Sequence, residues 1–186
     1  HYIIITNRPK DPDLEITRRV QELLKLRQAS CSVYADEIPK EEWKRILLRE
    51  GDRTDAILVL GGDGTMLRAA RDTADSQIPM LGINLGTLGY LTEVEKNGME
   101  DAIDRLVAGS YQVEDRMMLC GQIYRQGRME EENSALNDIT ITRCGHLRML
   151  YFQIYVNGKL LKEYHADGII IATPTGSTGY NMSAGG

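Results

Sequence analysis

The stretch Leu58-Val59-Leu60-Gly61-Gly62-Asp63-Gly64-Thr65 limits what this chain can become more than any other. The apolar run from Ala56 to Leu60 reads as a buried strand, and the segment from Thr65 to Thr73 has helical spacing, with Met66, Leu67, Ala69 and Ala70 on one broad face. Three glycines in four positions join them, so the backbone can approach a ligand closely. The helix that follows offers unpaired N–H groups and a positive dipole end, both suited to phosphate. Asp63 is the odd residue in this cradle. Its carboxylate repels phosphate oxygens, which calls for a proton to accept, a metal to hold or a hydroxyl to bind; the competing reading is a plain Gly-Asp-Gly surface turn. No Gly-Lys-Ser/Thr follows at P-loop spacing, and no Gly-x-Gly-x-x-Gly fingerprint opens the chain.

Around this turn the first half alternates strand and helix. Tyr2–Thr6 is an apolar strand, and Asp11-Pro12-Asp13 supplies start signals for a helix carrying Ile16, Val20, Leu23 and Leu24. Ser30–Tyr34 is a second strand. Pro39 opens a helix with Trp43, Ile46 and Leu47 on its apolar face, and Gly51 ends it. Ile78–Ile83 is a further strand, and Gly98–Val107 an amphipathic helix. The pattern predicts an α/β domain over residues 1–112 with a mainly parallel sheet, its ligands at the carboxyl ends of the strands. Both the glycine turn and the loop Asn84–Thr92 fall at that edge. Asn84 follows a strand end, where its amide can read a ligand hydroxyl or base, or simply cap an ordinary loop.

From about Tyr111 the period changes to that of strands. Gln112–Arg125, Asn137–Thr142, Met149–Val156, Leu160–His165 and Ile169–Ala172 read as strands, with Asn157-Gly158 a hairpin turn and the acidic stretch Gly127–Asn133 a solvated loop. Residues 113–186 are thus expected to form a β-rich domain. Its last strand delivers Thr173-Pro174-Thr175-Gly176-Ser177-Thr178-Gly179-Tyr180, whose hydroxyls and amides can reach phosphates and riboses while Tyr180 packs on a base; the alternative is a turn and nothing more.

The chain of 186 residues is 42% hydrophobic and 26% charged, enough to bury a core in one or two domains. Its net charge of −5 argues against general nucleic-acid or membrane-surface binding, so a phosphate ligand has to be captured locally. Cys31, Cys120 and Cys144 show no metal-ligand spacing and fit unpaired thiols in a reducing compartment, the cytoplasm by default. No stretch is long and apolar enough to span a membrane. A chain that opens at His1 and stops at Gly185-Gly186 reads as a fragment.

Together these pieces resemble the NAD kinase family. Its Gly-Gly-Asp-Gly-Thr turn is similar to Gly61–Thr65; its Asn-x-Gly-x-Leu-Gly-Phe-Leu loop to Asn84–Leu91, with Tyr90 for Phe; its Asn-Asp/Glu pair to Asn137-Asp138; and its Asp-Gly…Thr-Pro-Thr-Gly-Ser-Thr-Ala-Tyr run to Asp167–Tyr180, with Gly179 for Ala. The resemblance implies phosphorylation of the 2′-hydroxyl on the adenosine ribose of NAD to give NADP, with ATP or polyphosphate as donor and Mg²⁺ or another divalent cation. It implies a sandwich-like C-terminal domain, incomplete here, an active site between the two domains, and homo-oligomers, dimer or tetramer. By the same carry-over Asp63 is the base or a partner of the Mg²⁺; Gly61, Gly62, Gly64 and Thr65 cradle the donor phosphates with Arg68 adding charge; Asn137, Asp138 and Asp167 bind NAD; and Thr175, Gly176, Ser177, Thr178, Gly179 and Tyr180 line the adenine and ribose site. His165 is either a polar contact of that site or a plain strand histidine, and His146 and Arg148 carry less. Two rivals stay open. A diacylglycerol- or sphingosine-kinase-like lipid kinase shares the glycine turn, though Met66-Leu67-Arg68 stands where those families place an acidic residue. A non-catalytic NAD-binding module is the other.

Overall fold

Strands β1 (Tyr2–Thr6), β2 (Cys31–Tyr34), β3 (Ala56–Gly61), β4 (Met80–Asn84) and β5 (Val94–Glu95) pair in the order β2-β1-β3-β4-β5, every neighbouring pair parallel. This is a computed structural model, and it describes all residues but Asp36, Leu88, His146 and Leu147; the candidate His146 therefore lies outside the described residues. The chain divides into two compact units, His1–Asp115 and Arg116–Gly186.

In the first unit the helices α1 (Glu15–Leu26), α2 (Lys40–Glu50), α3 (Asp63–Thr73) and α4 (Met99–Val107) cover both faces of the sheet. Side chains alternate across a strand, so each strand feeds two cores. Tyr2, Ile4, Leu58 and Leu60 pack with Val20, Leu23, Leu24, Ile103 and Leu106 of α1 and α4. Ile3, Ile5, Ile57 and Val59 pack with Trp43, Ile46 and Ala69 of α2 and α3. β1 and β3 are buried at every position, as strands covered on both faces must be. The strand order reverses between β1 and β3, and the crevice beyond their carboxyl ends is where open α/β sheets bind ligands.

The start signal of α1 works at a distance. The residue before the helix is Leu14, in the left-handed region at φ 55°, and it makes no side-chain cap. Asp11 does the capping instead: its carboxylate accepts from the Thr17 amide (2.9 Å), the Thr17 hydroxyl (2.7 Å) and the Ile16 amide (3.2 Å).

The second unit is β-rich. β6 (Leu119–Arg125) pairs with β7 (Arg128–Ala135), β8 (Asp138–Thr142) with β11 (Gly168–Ala172), and β9 (Leu150–Val156) with β10 (Lys159–Ala166), all antiparallel. Two expectations need correction. The acidic segment expected as a loop is strand β7, because Gln126 and Gly127, at φ 49° and 76°, form a two-residue turn that folds it back on β6. β6 begins at Leu119, not at 112, because its register with β7 runs out at the pair Leu119 and Ala135.

Candidate active site

α3 begins at Asp63, two residues before the expected Thr65. Gly62 is its cap residue, extended at φ −134° and ψ −172°, and its carbonyl accepts from the amides of Thr65 (2.9 Å) and Met66 (3.1 Å). The first-turn amides of Asp63 and Gly64 have no acceptor within their own helix, which leaves them to a ligand. Gly61 ends β3, and the Thr65 hydroxyl, buried, receives a hydrogen bond from Asn7 Nδ2 at 2.9 Å. Arg68, one turn on, is ion-paired with Glu37.

Asp63 has three donors among the described residues. Its carboxylate accepts from the Tyr90 amide (2.8 Å), the Leu91 amide (3.1 Å) and the Thr92 hydroxyl (3.2 Å), and it stands so close to Gly89 that any side chain there would collide with it. An acid in the first turn also suits the helix dipole. The carboxylate thus fastens the loop after β4 to the turn after β3.

Asn84 departs from expectation. It is the last residue of β4, not the one after it, and it is buried. Its Nδ2 donates to the Thr87 carbonyl (2.8 Å) and the Thr92 hydroxyl (2.9 Å), and its Oδ1 accepts from the Gly86 amide (2.6 Å). Both amide hydrogens bond within the loop.

The first turn of α3 borders a cavity of about 570 Å³ at the carboxyl ends of β1 and β3, lined by Thr6, Asn7 and Lys10 from one side and Gly62, Asp63, Gly64, Thr65 and Arg68 from the other. Sequence reasoning passed over Asn7 and Lys10. Their signal was position: they follow β1 at the same sheet edge where the glycine turn follows β3.

In the second unit the Asn137-Asp138 pair and the Thr173–Tyr180 segment meet at one corner. The Asn137 carbonyl accepts from the Thr173 amide (2.8 Å), and the Thr173 hydroxyl donates to the Leu136 carbonyl (2.6 Å) while accepting from the Gly176 amide (3.1 Å). Gly176 lies against the Asn137 backbone with no room for a Cβ. Asn137 Oδ1 is buried without a partner among the described residues, an acceptor that lacks its donor. Asp138 opens β8 opposite Ala172, and Thr140 donates to its carboxylate at 3.2 Å. Residues Ser177–Asn181 wind into a helical turn kinked at Gly179, where a loop was expected, and the Ser177 hydroxyl bonds back to the Pro174 carbonyl at 2.8 Å. Thr178 and Gly179 lie exposed in that turn, Thr175 is within 3.5 Å of Arg116, and Tyr180 is 56% exposed. Asp167 sits between β10 and β11, exposed and paired with Arg143 Nε at 3.0 Å. His165, in β10, is exposed and packs its ring on Tyr151 at 5.1 Å.

Known proteins agree with this layout. Residues 2–111 match the ATP-NAD kinase N-terminal domain and residues 136–186 the ATP-NAD kinase C-terminal domain. The chain is 46% identical over its whole length to the NAD kinase of Agathobacter rectalis, of which it covers 65%, and 40% identical over its whole length to that of Lachnospira eligens, of which it covers 64%. It thus spans a little under two thirds of the length of these relatives. The solved structure of yeast NADH kinase complexed with NADH shares the fold, at a TM-score of 0.79 and 24% identity, covering all of this chain and 61% of that one. By its motifs, its fold and the family domains matched along most of its length, the chain belongs to the NAD kinase family.

Proposed function

We propose that the protein carrying this chain phosphorylates the 2′-hydroxyl of the adenosine ribose of NAD to make NADP, with ATP or polyphosphate as donor. The observation that carries this reading is Asp63 in the first turn of α3, at the rim of a cavity whose free backbone amides suit phosphate. Phosphoryl transfer asks chiefly for positioning and charge neutralisation, plus a group that orients or deprotonates the attacking hydroxyl. In this reading Gly61, Gly62, Gly64, Thr65 and Arg68 hold the donor phosphates and Asp63 takes the hydroxyl proton. Asn137, Asp138 and Asp167 bind NAD, with Thr175 to Tyr180 along its adenosine. The unpartnered Asn137 Oδ1 supports that assignment, because a ribose hydroxyl supplies the donor it lacks.

Mg²⁺ or another divalent cation enters as a passenger on the donor phosphates. Mg²⁺ is commonly held by one or two carboxylates together with substrate phosphates, and Asp63 and Glu37 are carboxylates lining the cavity; among the described residues no cluster of three or more His, Cys, Asp or Glu offers it a cage. We place the enzyme in the cytoplasm as a homodimer or homotetramer, without nucleic-acid or membrane partners. The free thiols of Cys31, Cys120 and Cys144 support a reducing compartment, and no helix among the described residues is long and apolar enough to cross a membrane.

The test is NADP formation by the full-length protein from NAD, ATP and Mg²⁺, run beside diacylglycerol phosphorylation. NADP without lipid product is the expected result. Lipid product alone would make it a lipid kinase, and NAD binding without turnover a binding module.

A further inference from the structure

Lys10 is the cation of the cavity that neither the glycine turn nor the fold accounts for. Its ammonium nitrogen lies 2.7 Å from where a Cβ on Gly62 would stand and 3.2 Å from where one on Gly86 would stand. It therefore rests over the cap residue of α3 and over the loop after β4, where a side chain on either glycine would have to push the lysine tip aside. Of the other two cations lining the cavity, Arg68 is paired with Glu37 in an exposed ion pair that a phosphate can open, and Arg8 Nε donates to the Pro12 carbonyl at 3.0 Å. Among the described residues Lys10 forms no ion pair.

A lysine side chain is long and costs rotamer entropy to hold still, so its placement depends on the backbone that carries it. That backbone is pinned on both sides. Before Lys10, the Asn7 amide donates to the Leu60 carbonyl (2.8 Å), Asn7 Nδ2 bonds the Thr65 hydroxyl (2.9 Å), and the Lys10 amide donates to the Asn7 carbonyl (2.9 Å). After it, the Asp11 carboxylate is locked onto the first turn of α1. A compact positive charge is thus delivered beside Gly62, the cap residue of α3, in a cavity that is also lined by Asp63, Gly64 and Glu37. Amides and ammonium facing one space are complementary to a phosphate oxygen.

We propose that Lys10 is a phosphate-binding residue of the donor site, closing over the phosphate chain laid against Gly62–Gly64 and offsetting the negative charge of Asp63. The proposal rests on the kinase reading above and deepens it. No proton leaves Lys10 in this role: it supplies fixed charge to the incoming phosphates.

The experiment uses the full-length protein as wild type, Lys10→Gln and Lys10→Arg. Inorganic tripolyphosphate binding is measured by calorimetry, and KM is measured separately for ATP and NAD. A charge-assisted hydrogen bond lost from a desolvated phosphate predicts tripolyphosphate binding weakened by about tenfold or more in Lys10→Gln. KM for ATP should rise in parallel, KM for NAD should stay within about twofold, and Lys10→Arg should recover most of the loss. Tripolyphosphate affinity unchanged in Lys10→Gln, with NADP still formed, overturns the role of Lys10 and leaves the kinase reading standing. Weakened tripolyphosphate binding in a protein that makes no NADP supports the phosphate contact and sinks the kinase reading. NADP formation by a wild type that does not bind tripolyphosphate overturns the proposal as well.

Discussion

The two units build their strands by opposite means. β1 and β3 of the first unit are buried at every residue, whereas β7 and β10 of the second are exposed at nearly every one. Both units are well hydrogen-bonded, so pairing alone does not create a core; helices laid on both faces of the first sheet do. The lesson concerns how each unit holds its candidate residues. Asp63, Thr65 and Lys10 stand on the ends of a packed sheet. Asn137, Asp138 and Gly176 depend on a small knot of hydrogen bonds around Leu136 and Thr173, which with Gly176 are the buried residues of the second unit among those described.

The largest effect expected is at Asp63, where the packed unit meets chemistry. Asp63→Asn keeps the shape and an acceptor for only one of the Tyr90 and Leu91 amides, which bond different carboxylate oxygens, and it removes the base. The rate constant kcat should fall by about 10²–10⁴-fold, with KM for NAD nearly unchanged. Steady-state kinetics together with a denaturant midpoint decides the matter. If stability and NAD affinity drop along with the rate, the carboxylate serves to tie the two loops and not to take a proton.

Next in size is a pair of leucine truncations that tests the contrast itself. Leu58→Ala, at 0% exposure in β3, should cost about 2–5 kcal/mol in chemical denaturation. Leu161→Ala, at 66% exposure in β10, should stay within about 0.5 kcal/mol. Equal losses would show that the exposed strands are as tightly covered in solution as the sheet.

How far the sequence could foretell this follows from the same contrast. Strands buried on both faces are continuous apolar runs, so β1 and β3 were legible from Tyr2-Ile3-Ile4-Ile5 and Ala56–Leu60, and the parallel order followed from the helices between them. In the second unit no such run marks β7, whose Arg128, Glu130, Glu131 and Glu132 look like a loop; a Gln-Gly turn, weaker as a signal than Asn-Gly, pairs it. In the site, the glycine turn announced itself, while the partners of Asp63 could not be read, because Tyr90 and Leu91 meet it through backbone amides that any residue carries. Asn84 was legible as a polar residue at the right edge, but its use by its own loop is a matter of geometry. Lys10 escaped because an exposed lysine in a polar loop is ordinary until its distance to Gly62 is known.

Gly176→Ala probes the hydrogen-bonded knot. A Cβ there meets the Asn137 backbone, which cannot yield as a flexible side-chain tip would. The knot should loosen at a cost on the order of 1–3 kcal/mol. On the proposed assignment KM for NAD should rise more than KM for ATP. A rise in KM for ATP alone would assign this corner to the donor instead.

The smallest effect, and the one with a pH signature, lies at Asp11, the anchor that carries Lys10. Burial pushes its carboxyl pKa up, but hydrogen bonds from the Thr17 hydroxyl and amide and from the Ile16 and Glu15 amides outweigh it and hold the group below the ordinary aspartate value. As pH falls, the unfolded chain therefore takes up this proton before the folded one does. The stabilisation is present in full above the unfolded-state pKa and is lost as pH falls through the folded value. Asp11→Asn should cost about 1 kcal/mol near neutral pH, the size of a lost helix cap. The gap between the two denaturation midpoints should then narrow as pH falls through the folded-state value, as protonation makes wild type resemble the variant. Glu50, also held below the ordinary carboxylate value by hydrogen bonds from Ser32, Arg49 and Tyr34 that outweigh its burial, titrates with the same sign but in both proteins, so it cancels from the difference. A gap that stays constant from neutral to acid pH would mean that Asp11 holds the Lys10 loop by shape and hydrogen-bonding pattern alone, with its charge contributing nothing.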